Sequence, residues 1–387
     1  MFKENTISCL FDLGGLVAGF AIAFQLGIFQ TTPWAIALYP AIVSVKGVTT
    51  GLISGRLSTA LHLGTVNPKF LKNTQSFYKI IGAIVVLTLV TSTTISGIAM
   101  LFGTLFWGIT SADFPSILIV MVATMFLGLV TTLITTKVMF ISFKKSLDPE
   151  LIVFPAISTT ADIIITLIFI GVLSTFFLGG INQWIILTFG LVNLFLALLI
   201  ISKYLRYTDF RKIIRESILT MLLVSFIVNI TGTILKQINS LSTTIKEIFI
   251  TYPAVIDLIG DVGLIVGSAA TTKLALGELT PSFSSIRKHT KNIISAWFTS
   301  ILFFTILGAS ALILNNNLTY SGMLNLFPIL LITNIIAFIT IVIISYAISI
   351  VMFKRGLDPD NFVIPLISTL ADAITTAAIL ASLFVTA

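Results

Sequence analysis

The sequence predicts an all-α polytopic membrane protein of about eleven transmembrane helices, and three observations carry that prediction. Hydrophobic residues make up 57% of the 387 residues, and charged residues only 10%. Mean hydropathy is +1.10, too apolar for the surface of a soluble globule of this size. Apolar runs long enough to cross a ~30 Å hydrocarbon core recur along the whole chain.

These runs fall at roughly 7–29, 33–61, 79–108, 114–141, 150–178, 183–202, 213–235, 247–275, 292–313, 325–352 and 361–386. The first follows only Lys3 and is succeeded by many others, so it reads as a retained helix and not as a cleaved signal. Cys9 is the single cysteine, which excludes an intrachain disulfide and any multi-cysteine metal site. His62 and His289 stand alone in the sequence and are assigned no chemistry.

Loop charges set the orientation. Counting connections from the N-terminus, the even-numbered ones and their edges hold Lys69, Lys72, Lys79, Lys144, Lys145, Lys203, Arg206, Arg211, Lys212, Arg215, Arg287, Lys288, Lys291, Lys354 and Arg355. The odd-numbered ones hold only Lys236 and Lys246. By the positive-inside rule the chain is a multi-pass protein of the cell membrane, with a cytoplasmic N-terminus and the C-terminus outside. The net charge of +7 is thereby a topology signal, and no nucleic-acid partner is expected, because no soluble module gathers the basic residues.

Two motifs recur without gaps. "LDPELIVFPAISTTAD" at Leu147–Asp162 matches "LDPDNFVIPLISTLAD" at Leu357–Asp372, and the Tyr-Pro-Ala segment from Tyr39 matches that from Tyr252. The chain therefore reads as a duplicated five-helix unit: residues 1–180, a linker transmembrane helix at 181–210, and residues 211–387. Five is odd, so direct fusion would invert the second unit; the linker helix restores its direction. The repeats are then parallel, related by a pseudo-two-fold axis along the membrane normal, and their equivalent helices are expected to line a shared path.

Asp162 and Asp372 occupy the same place in the two repeats, roughly 20 Å from the cytoplasmic helix end at about 1.5 Å per residue. A carboxylate at such depth costs ~2.5–3.5 kcal/mol on insertion scales, so a symmetric pair calls for a compensating cation. The plainer alternative is a pair of acids bonded to neighbouring hydroxyls as packing glue. Asp257 and Asp261, spaced i and i+4, share one face of the eighth helix. Together with Ser158, Thr159, Ser368 and Thr369, this oxygen-rich set suits Mg²⁺, Mn²⁺ or Ca²⁺ better than Zn²⁺ or Cu⁺. Asp261 has a second reading, as an ion-pair partner of Lys46 or Lys273.

Lys46 lies deep in its helix and has two readings: a counter-charge that balances the acids until Mg²⁺ displaces it, or a donor to a carbonyl beside Gly47. Arg56 lies nearer the cytoplasmic end, where it anchors the helix by snorkelling. Gly47 and Gly260, beside the Tyr-Pro segments, are expected to mark close helix packing around the path. Pro40, Pro155, Pro253 and Pro365 interrupt backbone hydrogen bonding in or near helices, and either free carbonyls for an ion or simply kink the chain.

"PAIVSVKGVTTGLISGRLSTALHLG" resembles the Pro-Ala-…-Lys-Gly-…-Arg-Leu-Ser-Thr-Ala-…-Leu-Gly segment of solute carrier family 41, and "LDPELIVFPAISTTAD" resembles that family's Asn-Pro-Asp-Asn-…-Pro-…-Asp helix. Those carriers belong with bacterial MgtE magnesium channels. The resemblance, over both halves, implies a transporter of divalent cations, Mg²⁺ foremost, with Asp162 and Asp372 matching the pore-lining acid. It further implies a monomer, because duplication in one chain would mimic the dimer of the bacterial relatives. The family's Asn and Glu after Lys-Gly are Val48 and Thr50 here, Asp261 takes the Asn-like place in the second repeat, and Ala269 stands where an Arg is expected.

The expected function is thus Mg²⁺ transport in exchange for Na⁺ or H⁺, with a passive channel as the alternative. Mg²⁺ is cargo, and no resident cofactor is expected. From another class, a membrane-embedded metal-dependent hydrolase would also use paired aspartates. Pairing through duplicated positions suits a symmetric pore, so no enzyme activity is expected.

Overall fold

The computed structural model describes residues 9–145, 154–241, 245–355 and 359–386. Residues 1–8 and the Asp148–Pro149 start of the first duplicated motif lie outside them. Every regular element among the described residues is helical. Besides the short helical turns Leu26–Phe29 and Phe283–His289, eleven longer helices follow in order among the described residues: α1 Cys9–Phe24, α2 Pro33–His62, α3 Gln75–Trp107, α4 Ser111–Lys144, α5 Phe154–Phe177 and α6 Ile181–Tyr204 in the first part. Then come α7 Thr208–Leu241, α8 Ile245–Ala275, α9 Thr290–Leu314, α10 Tyr320–Arg355 and α11 Pro359–Thr386. All but α1 contain a stretch long and apolar enough to cross a membrane; α1 is a shorter apolar helix.

Local sequence explains several ends. Thr32 is extended and Pro33 opens α2, where the missing N–H costs nothing. The Thr74 hydroxyl accepts from the Phe77 N–H at 3.4 Å and caps α3. Gly108, with φ +72°, turns the chain after the last π-helical turn of α3. Inside α3, the hydroxyls of Thr88, Thr91, Ser92 and Ser96 each donate to the carbonyl one turn back. Such intrahelical bonds let hydroxyls sit among apolar side chains without an unmet donor.

The chain forms two compact units, Gln25–Thr233 and Met1–Phe24 with Ile234–Ala387. In the first, α2 packs against α3, α4 and α5, while α6 lies against α3, α4 and α5. The most apolar stretch of α2 is 89% buried and that of α6 only 17%, so α2 is the central helix and α6 a peripheral one. Trp184, Phe195 and Leu198 of α6 are exposed, as expected of a face turned to lipid. In the second unit α8 is central and meets α1, α9, α10 and α11. Here Asn334 of α10 donates to Ser300 of α9 at 2.6 Å, and Ser349 of α10 donates to the Gly267 carbonyl of α8 at 2.9 Å. Such interhelical bonds replace a hydrophobic drive that lipid does not supply.

Each unit also holds the opening helix of the other repeat. Gly19 of α1 lies so close to α8 that a Cβ there would come within 2.0 Å of the Ile250 carbonyl oxygen and 2.6 Å of that of Phe249. Gly232 of α7 does the same to α2, where a Cβ would stand 1.9 Å from the Ala37 carbonyl oxygen. Gly19 and Gly232 precede Tyr39 and Tyr252 by the same number of residues, as do Ala37 and Ile250. The contact is therefore one repeat-symmetric arrangement made twice. Pro253 lies inside α8 and removes the N–H that Phe249's carbonyl would otherwise receive, at the place where Gly19 approaches.

The glycine expectation needs correction. A Cβ at Gly47 would meet nothing within 4 Å, and one at Gly260 would reach only Ala371 Cβ at 3.9 Å, an ordinary contact. Close helix approach occurs instead at Gly19, Gly232 and Gly263, where Ile341 stands 2.7 Å from the missing Cβ. Replacing Gly19 or Gly232 by alanine should destabilise the protein by about 1–3 kcal/mol through overpacking against main chain that cannot yield. At Gly55, where a Cβ meets nothing, alanine should be neutral or better, by up to ~1 kcal/mol of helix propensity. Thermal unfolding in detergent, followed by size-exclusion chromatography, compares the three.

Candidate cation site

Asp162 sits on α5 and is 2% exposed; Lys46 sits on α2 and is likewise 2% exposed. The Lys46 Nζ donates to Asp162 Oδ1 at 2.5 Å and to the Ser158 carbonyl at 2.9 Å. Ser158 lies one turn before Asp162, so its carbonyl and the carboxylate present themselves to the same ammonium. Asp162 Oδ2 is buried and has no hydrogen-bond partner among the described residues. Lys46 thus pairs with a buried acid and also donates to a carbonyl, that of Ser158.

This ion pair is no simple source of stability. Burying both charges costs several kcal/mol per ion, and their attraction does little more than repay it. Removing one partner alone leaves a buried charge uncompensated, at about 3–5 kcal/mol.

A second contact fixes α5 on α2. The hydroxyls of Tyr39 and Thr166 are hydrogen-bonded at 3.1 Å, and both residues are buried. In the other unit Tyr252 of α8 and Thr376 of α11 repeat the contact at 2.8 Å. Thr376 donates its own proton to the Asp372 carbonyl at 2.6 Å, so Tyr252 is the donor in that pair. Each threonine follows its aspartate by one turn, and each tyrosine opens the Tyr-Pro-Ala motif. Both carboxylates are thereby positioned by the same lock.

The chemistry around the two locks differs. Asp372 is 6% exposed, and Asp257 and Asp261 of α8 are partly buried in the same unit. Asp12 of α1, 2% exposed, belongs to that unit too. Ile259, buried, stands where the first repeat has Lys46, counting from the tyrosines. Thr159 and Thr369 are buried, while Ser158 and Ser368 are partly exposed. Among the described residues, no three or more His, Cys, Asp or Glu side chains stand close enough together to hold a metal ion.

Nearer the end of α2, Arg56 pairs with Glu216 of α7 at 3.2 Å. Lys79 of α3 pairs with Asp209 of α7 at 3.3 Å and lies 4.2 Å from the Tyr207 ring centroid. Arg56 thus has a protein carboxylate as its partner.

The tyrosine–threonine locks and Asp12 escaped the sequence reading. The locks had a signal, since a threonine follows both duplicated aspartates at i+4. Asp12 had none: its counterpart in the second repeat is Ser225, so comparing the repeats erases it.

An all-α chain with this many membrane-length helices, and with duplicated aspartates locked at equivalent buried positions, is a multi-pass membrane protein with acids in its interior. The model of the MgtE divalent cation transporter family matches residues 39–172 and 252–382, more than half of the sequence, and the chain belongs to that family. Each match begins at a tyrosine of a lock and includes its aspartate. The family is one of transporters and not of enzymes. No curated protein and no solved structure matches the chain.

Tyr39→Phe and Tyr252→Phe should each lower stability by about 0.5–1.5 kcal/mol, the worth of one buried hydrogen bond. Melting temperatures that stay at the wild-type value in both variants would show that the locks do not hold the aspartate helices.

Proposed function

We propose that the protein transports Mg²⁺ across the cell membrane, in exchange for Na⁺ or H⁺, along a pseudo-two-fold path lined by Asp162 and Asp372. One observation carries the reading: a duplicated, buried aspartate locked at the same place in both repeats of a divalent cation transporter. Hard oxygen ligands without a cysteine or histidine cluster favour Mg²⁺, Mn²⁺ or Ca²⁺ over Zn²⁺ or Cu⁺, and the family resemblance puts Mg²⁺ first among them. Because Mg²⁺ dehydrates reluctantly, the carboxylates act on a partly hydrated ion. Exchange is supported by the resemblance to the carrier branch. The two five-helix repeats lie in 1–180 and 211–387 around the linker at 181–210, and the functional form is a monomer in the lipid bilayer.

Purified protein in liposomes loaded with a Mg²⁺-sensitive dye, with membrane potential and Na⁺ or H⁺ gradients set separately, tests this directly. Flux should depend on the counter-ion gradient; flux that follows voltage alone identifies a passive channel. Asp162→Asn or Asp372→Asn keeps shape but removes charge, and each should cut Mg²⁺ flux by roughly tenfold or more. Wild-type flux in both sinks the path assignment.

The orientation places the N-terminus in the cytoplasm and the C-terminus outside, on the strength of the loop charges. In a Cys9→Ser background, cysteines at exposed Asn316 and exposed Arg206 should react with impermeant maleimide from outside and from inside respectively. The reverse pattern overturns the orientation.

A further inference from the structure

Charge at the elbow between α6 and α7 is one-sided. Five basic residues fall between Lys203 and Arg215, against two acids, Asp209 and Glu216. Both acids are engaged from other helices of the same unit: Lys79 of α3 meets Asp209 at 3.3 Å, and Arg56 of α2 meets Glu216 at 3.2 Å. The other Glu216 oxygen lies 3.9 Å from Lys212. Lys203, Arg206, Arg211 and Arg215 are exposed and have no ion pair among the described residues. The elbow that carries them is held by a packed core. Phe210 is fully buried in one cluster with Ala83, Val86 and Ala197, and its ring centroid lies 5.9 Å from that of Tyr204.

Farther along α7 the basic face turns apolar. Arg211, Arg215, Leu219, Leu222 and Phe226 succeed one another at spacings of three or four and are all exposed, so they form one stripe. Phe210, Ser217, Met221 and Val224, on the other side, are buried. From Arg215 to Phe226 the helix rises roughly 16 Å, about half of a ~30 Å hydrocarbon core and so the depth of one leaflet.

We propose that the α6–α7 elbow binds an anionic phospholipid, its phosphate held by Arg211 and Arg215 and an acyl chain lying along Leu219, Leu222 and Phe226. Lys203 and Arg206 add positive charge around the phosphate. Arginine suits the contact, because its planar fork matches phosphate geometry with two donors at once. The site is independent of the ion carried. Loop charges decide only that the cytoplasmic leaflet, whose anionic lipids attract juxtamembrane bases, supplies the lipid.

Dioleoyl phosphatidylglycerol serves as the probe, titrated onto the purified full chain in a neutral detergent and counted by native mass spectrometry. Dioleoyl phosphatidylcholine is the zwitterionic control. The wild type should retain phosphatidylglycerol in preference. Arg211→Gln/Arg215→Gln should weaken that binding by roughly 25-fold, about fivefold for each charge removed. Arg211→Lys/Arg215→Lys should keep most of it. Lys354→Gln/Arg355→Gln takes the same charge from the exposed end of α10 and should change nothing. Inorganic phosphate should not displace the lipid, since it lacks the chain that the apolar stripe holds. All the substituted side chains are exposed, so the variants should elute from size exclusion as folded protein.

Equal retention of the two lipids by the wild type overturns the site. So does equal weakening in both glutamine variants, which would reduce the effect to net charge, or displacement by inorganic phosphate, which would mark a free-anion site. A wild-type dimer that Arg211→Gln/Arg215→Gln splits into monomers would give the stripe to a second copy of the chain and overturn it as well.

Discussion

Charge placed deep in an apolar helix bundle must be balanced from within the protein, because lipid offers neither ions nor hydrogen bonds. The contact of Lys46 with Asp162 satisfies that constraint in one unit. Around it stand the details that make it tenable: a carbonyl one turn before the aspartate and a tyrosine–threonine bond one turn after it. The same economy runs through the bundle, where serine and threonine hydroxyls bond back along their own helices and an asparagine meets a serine across helices.

The duplication preserves geometry and lets chemistry drift. The lock on the aspartate helix is present twice, and so is the close approach of a glycine to the tyrosine-bearing helix. Charge has diverged: Lys46 faces Ile259 across the alignment of repeats, Ser44 faces Asp257, and Val48 faces Asp261. Positions that set helix packing are constrained by volume to within a methyl group. The exchanged positions keep the lock and change the charge around it.

Much of this was legible in the sequence, because hydropathy reports apolar length directly. The predicted 33–61 and 183–202 became Pro33–His62 and Ile181–Tyr204. The seventh helix was read short, as 213–235 against Thr208–Leu241. Its first turns carry Asp209, Arg211, Lys212, Arg215 and Glu216, and a polar, ion-paired helical end looks like a loop to a hydropathy window. The buried aspartates were visible from their duplication. The partner of Lys46 was not determined, since Asp162, Asp257, Asp261 and Asp372 were all candidate acids and only the packing of α2 on α5 selects among them. Glycine roles were misassigned because glycine records that a side chain is missing, without saying whether another helix fills the space.

The exchange of opening helices between repeats has a consequence for synthesis. Helix α1 leaves the ribosome first, yet the main chain against which Gly15 and Gly19 pack, at Ile250 and Ala254, follows more than two hundred residues later. At about 5–20 residues per second, that interval is on the order of ten seconds or more. Throughout it, a short helix carrying Asp12 waits without the helix that buries it. The first repeat in turn lacks α7 until the linker helix has been made. Each unit is thus completed by a helix from the far end of the other repeat, and the packing around α1 can form only once the second tyrosine helix has been made.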